Sequence, residues 1–242
     1  DGQGGAPGDD PGNSPGPDEE QLVRFVDELE LWFVAPVNPD GSARVFELDN
    51  MWRKNCRDND ADGDIDEADG VDLNRNLPFG WGGACAGSSD IPSAPTYRGP
   101  APASEPEVRG LRDLAARRGA LIDVDFHSAG EQILYAPSCH PSWAPTLEGI
   151  APFSTIAADV AALAVQADGG IGYLAIPFAG TVDGTVRDSL YAELGTFAMV
   201  IELNSWAEGG FSPDYDLWRD ATVAGIRPVW KALIARALGA TI

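Results

Sequence analysis

Positive charge is scarce in this 242-residue chain. Lysine and arginine total 16 against 38 aspartates and glutamates, a formal net charge of −22. That excludes the basic stripe expected of a nucleic-acid binder and argues against docking on anionic lipid. It predicts a solvated acidic face. Lys54 and Lys231 are the only lysines, so arginine carries almost all the positive charge. No apolar run reaches the roughly 18 residues a transmembrane helix needs, so membrane insertion is not expected. No secretory signal is present, and the chain opens on Asp1 rather than Met, so Asp1 is not expected to be where the gene begins. The three cysteines, Cys56, Cys85 and Cys139, form no CxxC pattern and allow at most one internal disulfide. Cys56 and Cys85 are the expected pair; three buried thiols are the alternative. Histidine is limited to His127 and His140.

Hydrophobic residues make up 44% of the chain, enough for the core of one large domain. Residues 1–18, rich in Gly, Pro and Asp, read as a loop or linker. A short helix is expected over 19–26. The continuous apolar run 29–36 suggests a strand buried on both faces. Asn38-Pro39-Asp40-Gly41 signals a turn, 57–70 is an acidic loop, and 80–98 is a long loop of the kind that often carries function. Ser104 and Glu107 form a capping box for a helix that repeats Val108, Leu111, Leu114 and Ala115 and ends at Gly119. Strands are expected at 121–126, 132–136 and 196–203. A helix over 153–165 should turn Ile156, Val160, Leu163 and Ala164 inward. A last helix over 216–238 should kink or restart at Pro228. Strands alternating with helices predict an α/β fold with a mainly parallel sheet.

Some polar residues fall where chemistry gathers. In the stretch from Gly70 to Asn76, Asn74 and Arg75 can present an amide and a guanidinium to one planar anion; an ordinary surface turn explains the pair equally well. His127 closes a strand, and ligands collect at the carboxyl ends of strands in open α/β sheets. Glu202 ends another strand inside an apolar run, where a carboxylate is costly unless paired or used. Burial there raises its pKa towards that of a general base. Asp58, Asp60, Asp62, Asp64 and Asp69, with Gly63 at the sixth position, follow the spacing of an EF-hand calcium loop. Aspartate replaces glutamate at the twelfth position and no flanking helices are evident, so a bare calcium loop and a solvated acidic insertion both remain open.

Taken in order, the motifs are Asn38-Pro39-Asp40-Gly41, Trp52-Arg53-Lys54-Asn55, Gly70 to Asn76, Tyr97-Arg98-Gly99-Pro100 with Ser104 to Glu107, Phe126-His127-Ser128, and Ile201-Glu202-Leu203. This order resembles the zinc metallocarboxypeptidases of the pancreatic A/B type and their bacterial relatives, from about Leu29 to the C-terminal helix. The resemblance implies a mixed, mainly parallel twisted sheet with helices on both faces, here N-terminally truncated, with 19–242 as a partial catalytic domain. It implies hydrolysis of C-terminal residues from peptides or proteins, and a secreted or periplasmic location. It assigns His127 as a zinc ligand, Asp72 as the carboxylate orienting a ligand histidine, and Arg53 as the stabiliser of the developing oxyanion. Asn74 and Arg75 become the grip on the substrate's terminal carboxylate, and Glu202 the general base.

The chain departs from that family in three places. The family's other two zinc ligands come from a His-x-x-Glu motif before the Asn-Pro-Asp-Gly turn, and no such motif is present, so the zinc site is expected to be incomplete and the chain as given inactive. The capping tyrosine is unmatched, with Phe178 the nearest aromatic and Tyr173 further away. Arg187 falls at the selecting position of the specificity pocket, which implies a preference for acidic C-terminal side chains; pairing with Asp183 or Asp188 is the alternative. His140 reads as a surface histidine. A metal-free relative that binds peptide C-termini and a calcium-stabilised structural domain are the other readings.

Overall fold

The computed structural model describes residues 17–83, 85, 87–138, 147–177 and 182–239. In chain order they form α1 (Pro17–Glu28), α2 (Pro39–Glu47), a 3-10 turn (Leu73–Arg75), α3 (Pro106–Arg118), β1 (Ile122–Ser128), β2 (Gln132–Tyr135), α4 (Leu147–Leu163), β3 (Leu174–Pro177), α5 (Val186–Leu194), β4 (Phe197–Leu203), a second 3-10 turn (Trp206–Glu208) and α6 (Tyr215–Ala237). The sheet order is β1-β4-β2-β3. The β1–β4 and β2–β3 pairs are parallel and β2–β4 is antiparallel, the mixed, mainly parallel sheet expected.

Strand alternation divides the core into two layers. Phe197, Met199 and Ile201 of β4 join Ile133 and Tyr135 of β2 beneath α4 and α6, with Val160, Ala161, Ile226, Val229 and Leu233. Ala198, on the opposite face, packs with Val108 and Ala115 of α3 and Val186 and Leu190 of α5. Leu73 and Leu77 belong to this second layer, which fixes the first 3-10 turn against it. Helices therefore cover both faces. In α4, Val160 points inward as expected and Ala157 and Ala161 join it, whereas Leu163 is turned outward.

Several local expectations are corrected. Residues 29–36 form no strand, and Leu31, Trp32, Phe33 and Val34 are exposed. An extended segment needs a ladder partner for its backbone polar groups, and none of the described strands pairs with it. The Arg118 guanidinium instead covers Trp32, 4.2 Å from the ring centroid. Asn38 to Gly41 open a helix rather than a turn: Asn38 Oδ1 accepts from Gly41 N at 3.0 Å and Pro39 takes the first helical turn. The capping box at Ser104 is not made. Ser104 Oγ accepts from Asn76 Nδ2 and donates to Glu105 Oε1, so α3 starts one residue later without a side-chain cap, and Gly119 ends it in the left-handed conformation as expected. α6 runs unbroken through Pro228, because Ile226 on one side and Val229, Ala232 and Leu233 on the other are anchored in the core. Cys56 is a free thiol while Cys85 is disulfide-bonded, so the expected Cys56–Cys85 pair is not formed. Cys56 is held where Asn55 and Arg57 pair with Val71 and Gly70 at the neck of the acidic loop, and Cys85 belongs to the separate loop over Arg75. Most of the 1–18 linker, Cys139, His140 and Phe178 lie outside the described residues.

Candidate active site

The parallel register of β1 and β4 places His127 directly beside Glu202. Side-by-side residues of paired strands share a face, so Asp123, Asp125 and His127 stand with Ala198, Val200 and Glu202. Their neighbours Ile122, Val124 and Ile201 pack into the α4–α6 layer. Asp125 Oδ2 lies 2.9 Å from His127 Nε2, which fixes one ring nitrogen and leaves Nδ1 outside that pair.

The first 3-10 turn supplies the next group. Asp72 is its N-cap, accepting from Asn74 N, and its other oxygen holds Arg53 Nε at 2.7 Å. Asn74 Oδ1 accepts from Val186 N at 2.9 Å, tying the turn to the start of α5. Arg75 is buried, donating from Nε to Gly87 O and from Nη1 to Asn74 O. The approach is closed by Gly184, whose φ of +65° favours glycine; a Cβ there would lie 2.4 Å from Arg75 O. Arg187, the second residue of α5, is 3% exposed. Its Nε donates to Ser138 Oγ at 2.9 Å, and its Nη2 is buried without a hydrogen-bond partner among the described residues. Asp188 does not satisfy it: the closest approach is 4.0 Å, and the carboxylate already accepts from Ser138 N.

Arg53, Asn74, Arg75, His127, Arg187 and Glu202 line one cleft of roughly 260 Å³, walled in part by Leu134, Val200 and Trp206. A second cavity of roughly 210 Å³ shares Arg53, Asn74 and His127 and adds Asp72 and Asp125. Burial raises the Glu202 pKa against the opposing pull of His127, Arg53 and Arg187. Burial also pushes the Arg187 guanidinium down to about 10 and lowers Arg75. Asp72 is the main cause that holds Arg53 above its usual value. For His127, burial pulls downward, but Asp125 and Glu202 outweigh it and the net direction is up.

Arg53, Asn74, Arg75, His127, Arg187 and Glu202, each singled out from the sequence, therefore line one cleft, and Asp72 stands behind Arg53. Sequence reading missed Asp125 as the partner of His127 and Ser138 as the partner of Arg187. The first had a signal, the alternation of apolar and polar residues along β1; the second did not, because 49 residues separate Ser138 from Arg187. Tyr173 is buried and is not among the residues lining the cleft.

Metal fit divides the expected ligands. Among the described residues, His127 belongs to no group of three His, Cys, Asp or Glu side chains close enough to share an ion. The described residues alone therefore do not fit catalytic zinc, which takes three protein ligands. In the acidic loop, Asp58, Asp60 and Asp69 bring oxygens within 4.8 Å of one another, while Asp62 and Asp64 are not of that group.

Three guanidiniums and the half-buried Glu202 carboxylate thus meet in one cleft at the carboxyl edge of a mixed α/β sheet. The zinc carboxypeptidase family model matches residues 17–233, and the chain belongs to that family. A metallocarboxypeptidase A-like protein of Trichophyton verrucosum is 31% identical over 204 residues, covering 80% of this chain and 46% of that protein. Human carboxypeptidase A5 is 35% identical over 117 residues, covering 47% and 25% respectively. The chain thus spans less than half the length of these relatives. Among solved structures, carboxypeptidase A of Helicoverpa armigera superposes with a TM-score of 0.64 at 27% identity, over 90% of this chain and 57% of that one. Thrombin-activatable fibrinolysis inhibitor superposes with a TM-score of 0.75 at 21% identity, over 91% and 54%, which supports the fold alone.

Proposed function

We propose that this chain carries the substrate-gripping and general-base side of a zinc carboxypeptidase centre that acts on the C-termini of peptides or proteins. The observation that carries the reading is the convergence of Arg53, Arg75 and Arg187 on the cleft that holds Glu202 and His127. Asn74 and Arg75 hold the terminal carboxylate, because a guanidinium matches it with two parallel donors. Arg53, fixed by Asp72, meets the negative charge that develops on the scissile carbonyl oxygen. Glu202, with its proton affinity raised by burial, takes the proton of the attacking water. Arg187 selects acidic C-terminal side chains through its unpartnered Nη2. When bound, zinc supplies a polarised water and a Lewis acid; the described residues offer it one imidazole, so turnover requires further ligands and no step through the metal is derived. A secreted or periplasmic location accompanies this reading.

A second reading, binding of C-termini without hydrolysis, is favoured because, among the described residues, His127 belongs to no group of three metal-ligating side chains. A calcium ion in the loop of Asp58, Asp60 and Asp69 is a separate element of the proposal, removed if calorimetry detects no calcium heat that Asp60→Asn abolishes. The main test is calorimetric titration with a peptide bearing a free C-terminal carboxylate and with its amide. The free acid binds and the amide does not; equal binding of the two removes the proposed grip. Release of the last residue in the presence of zinc separates the enzyme from the binder.

A further inference from the structure

Beyond the carboxyl ends of β1 and β4, three carboxylates that are not among the residues lining the cleft converge. Glu131 lies in the turn between β1 and β2, Asp168 in the connection from α4 to β3, and Glu208 in the 3-10 turn after β4. One oxygen of each lies within 4.8 Å of the other two. Glu208 is 5% exposed. Its Oε2 accepts from Ser205 N and Asn204 Nδ2, but its Oε1 is buried with no hydrogen-bond partner among the described residues. Glu131 Oε1 is likewise out of solvent without a donor. Asp168 is exposed and closes the group from the solvent side. Among the described residues, no lysine or arginine forms an ion pair with any of the three.

Orphaned buried carboxylate oxygens facing other carboxylates are unfavourable unless a cation or a proton joins them. The surroundings register the negative potential. Burial raises Glu131, and Glu208 and Asp168 raise it further. Buried Tyr173 is pushed up to about 12 by its burial and by Glu131 and Glu208. Glu131 also holds a left-handed backbone, φ 53°, in the turn.

We infer that Glu131, Asp168 and Glu208 form a binding site for a hard divalent cation, with calcium as the best fit. The donor set is oxygen only, without histidine or cysteine, which selects hard ions. Calcium accepts about six to eight oxygens in flexible geometry and tolerates an irregular set drawn from three chain segments, whereas magnesium demands near-ideal octahedral geometry. Three carboxylates completed by water place the affinity in the weaker range of calcium modules, about 10⁻⁴–10⁻³ M. The ion ties together three chain segments. Gly130 N already donates to Asn204 O at 2.7 Å between two of them, and these segments follow His127 and Glu202 directly. Its occupancy therefore steadies the ends of β1 and β4. The site stands on its own and does not depend on the peptidase reading.

The test is calcium titration of the whole chain, read by calorimetry and by thermal unfolding, for the native chain and for Asp168→Asn, Glu131→Gln and Asp60→Asn. Asp168 is exposed, so Asp168→Asn retains the fold, checked by circular dichroism, and keeps the result readable if Glu131→Gln misfolds. The expected result is a calcium-dependent rise in Tm that Asp60→Asn retains and Asp168→Asn weakens by about tenfold or more in apparent affinity. The inference is overturned if Asp168→Asn responds to calcium as the native chain does. It is also overturned if the native chain binds no calcium at millimolar concentration.

Discussion

Replacing Arg187 by glutamine removes a buried guanidinium whose Nη2 has no hydrogen-bond partner among the described residues, in a cleft that also holds Arg53 and Arg75. Burial lowers its pKa from 12.5 to about 10. At about 1.4 kcal/mol per unit, the unmet demand for a counter-charge is about 3 kcal/mol. Asp188 at 4.0 Å meets little of it, because that carboxylate is taken by Ser138 N. A substrate carboxylate reaching Nη2 recovers part of this as a charge-assisted hydrogen bond, about 1.5–3 kcal/mol. The native chain should therefore favour a peptide ending in Glu over the same peptide ending in Gln by about 10- to 150-fold. In Arg187→Gln the ratio should collapse towards one, while affinity for the terminal carboxylate, held by Asn74 and Arg75, persists. The assay is competition binding with peptides ending in Glu, Gln, Phe and Lys at neutral pH. A native preference for Phe, or a Glu/Gln ratio unchanged in the variant, would refute the reasoning.

Two further predictions concern what holds the cleft together. Asp123 sits on the polar face of β1 with its Oδ2 buried and unpartnered, and burial, then the charge of Asp125, pushes its pKa up to about 7. An acid whose folded pKa lies above its unfolded value destabilises the fold as pH rises, from about 4 until the penalty is complete above about 7. The side chain keeps some exposure, so native stability should fall by about 2 kcal/mol between pH 5 and pH 8, and Asp123→Asn should flatten that fall in urea denaturation; parallel pH profiles would contradict it. Gly184→Ala forces a Cβ to within 2.4 Å of Arg75 O at a left-handed φ. It should cost about 1–3 kcal/mol of stability and weaken peptide binding together; a variant with native stability and binding would contradict the close packing.

Much of this was legible in the sequence because it is local. The alternation along 121–126 and the apolar run before Glu202 specify β1 and β4, and once those strands are parallel neighbours the register brings His127 to Glu202. The motif from Gly70 to Asn76 marked Asn74 and Arg75, which line the cleft with Arg53, and Asp72 lies behind Arg53 at 2.7 Å. The errors came where a local signal had two outcomes or depended on a distant partner. Asn38 to Gly41 suits both a turn and a helix start, and tertiary contact decided it: Asn38 Nδ2 also donates to Lys54 O. Ser104 was drawn from its capping role by Asn76, 28 residues earlier. The apolar run 29–36 has the composition of a strand, but a strand exists only with a ladder partner. The partners of Arg187 and the meeting of Glu131 with Asp168 and Glu208 join segments far apart in the chain, and no spacing rule reaches them.

The central claim is tested most directly by following the arginine Nε–H resonances of the nitrogen-labelled chain while a short peptide ending in Glu is added. The account predicts that the signals of Arg53, Arg75 and Arg187 shift together along one binding curve, and that C-terminal amidation of the peptide abolishes the Arg75 shift. If the three move with different affinities, or Arg75 is indifferent to the terminal carboxylate, these residues do not form one peptide-end site.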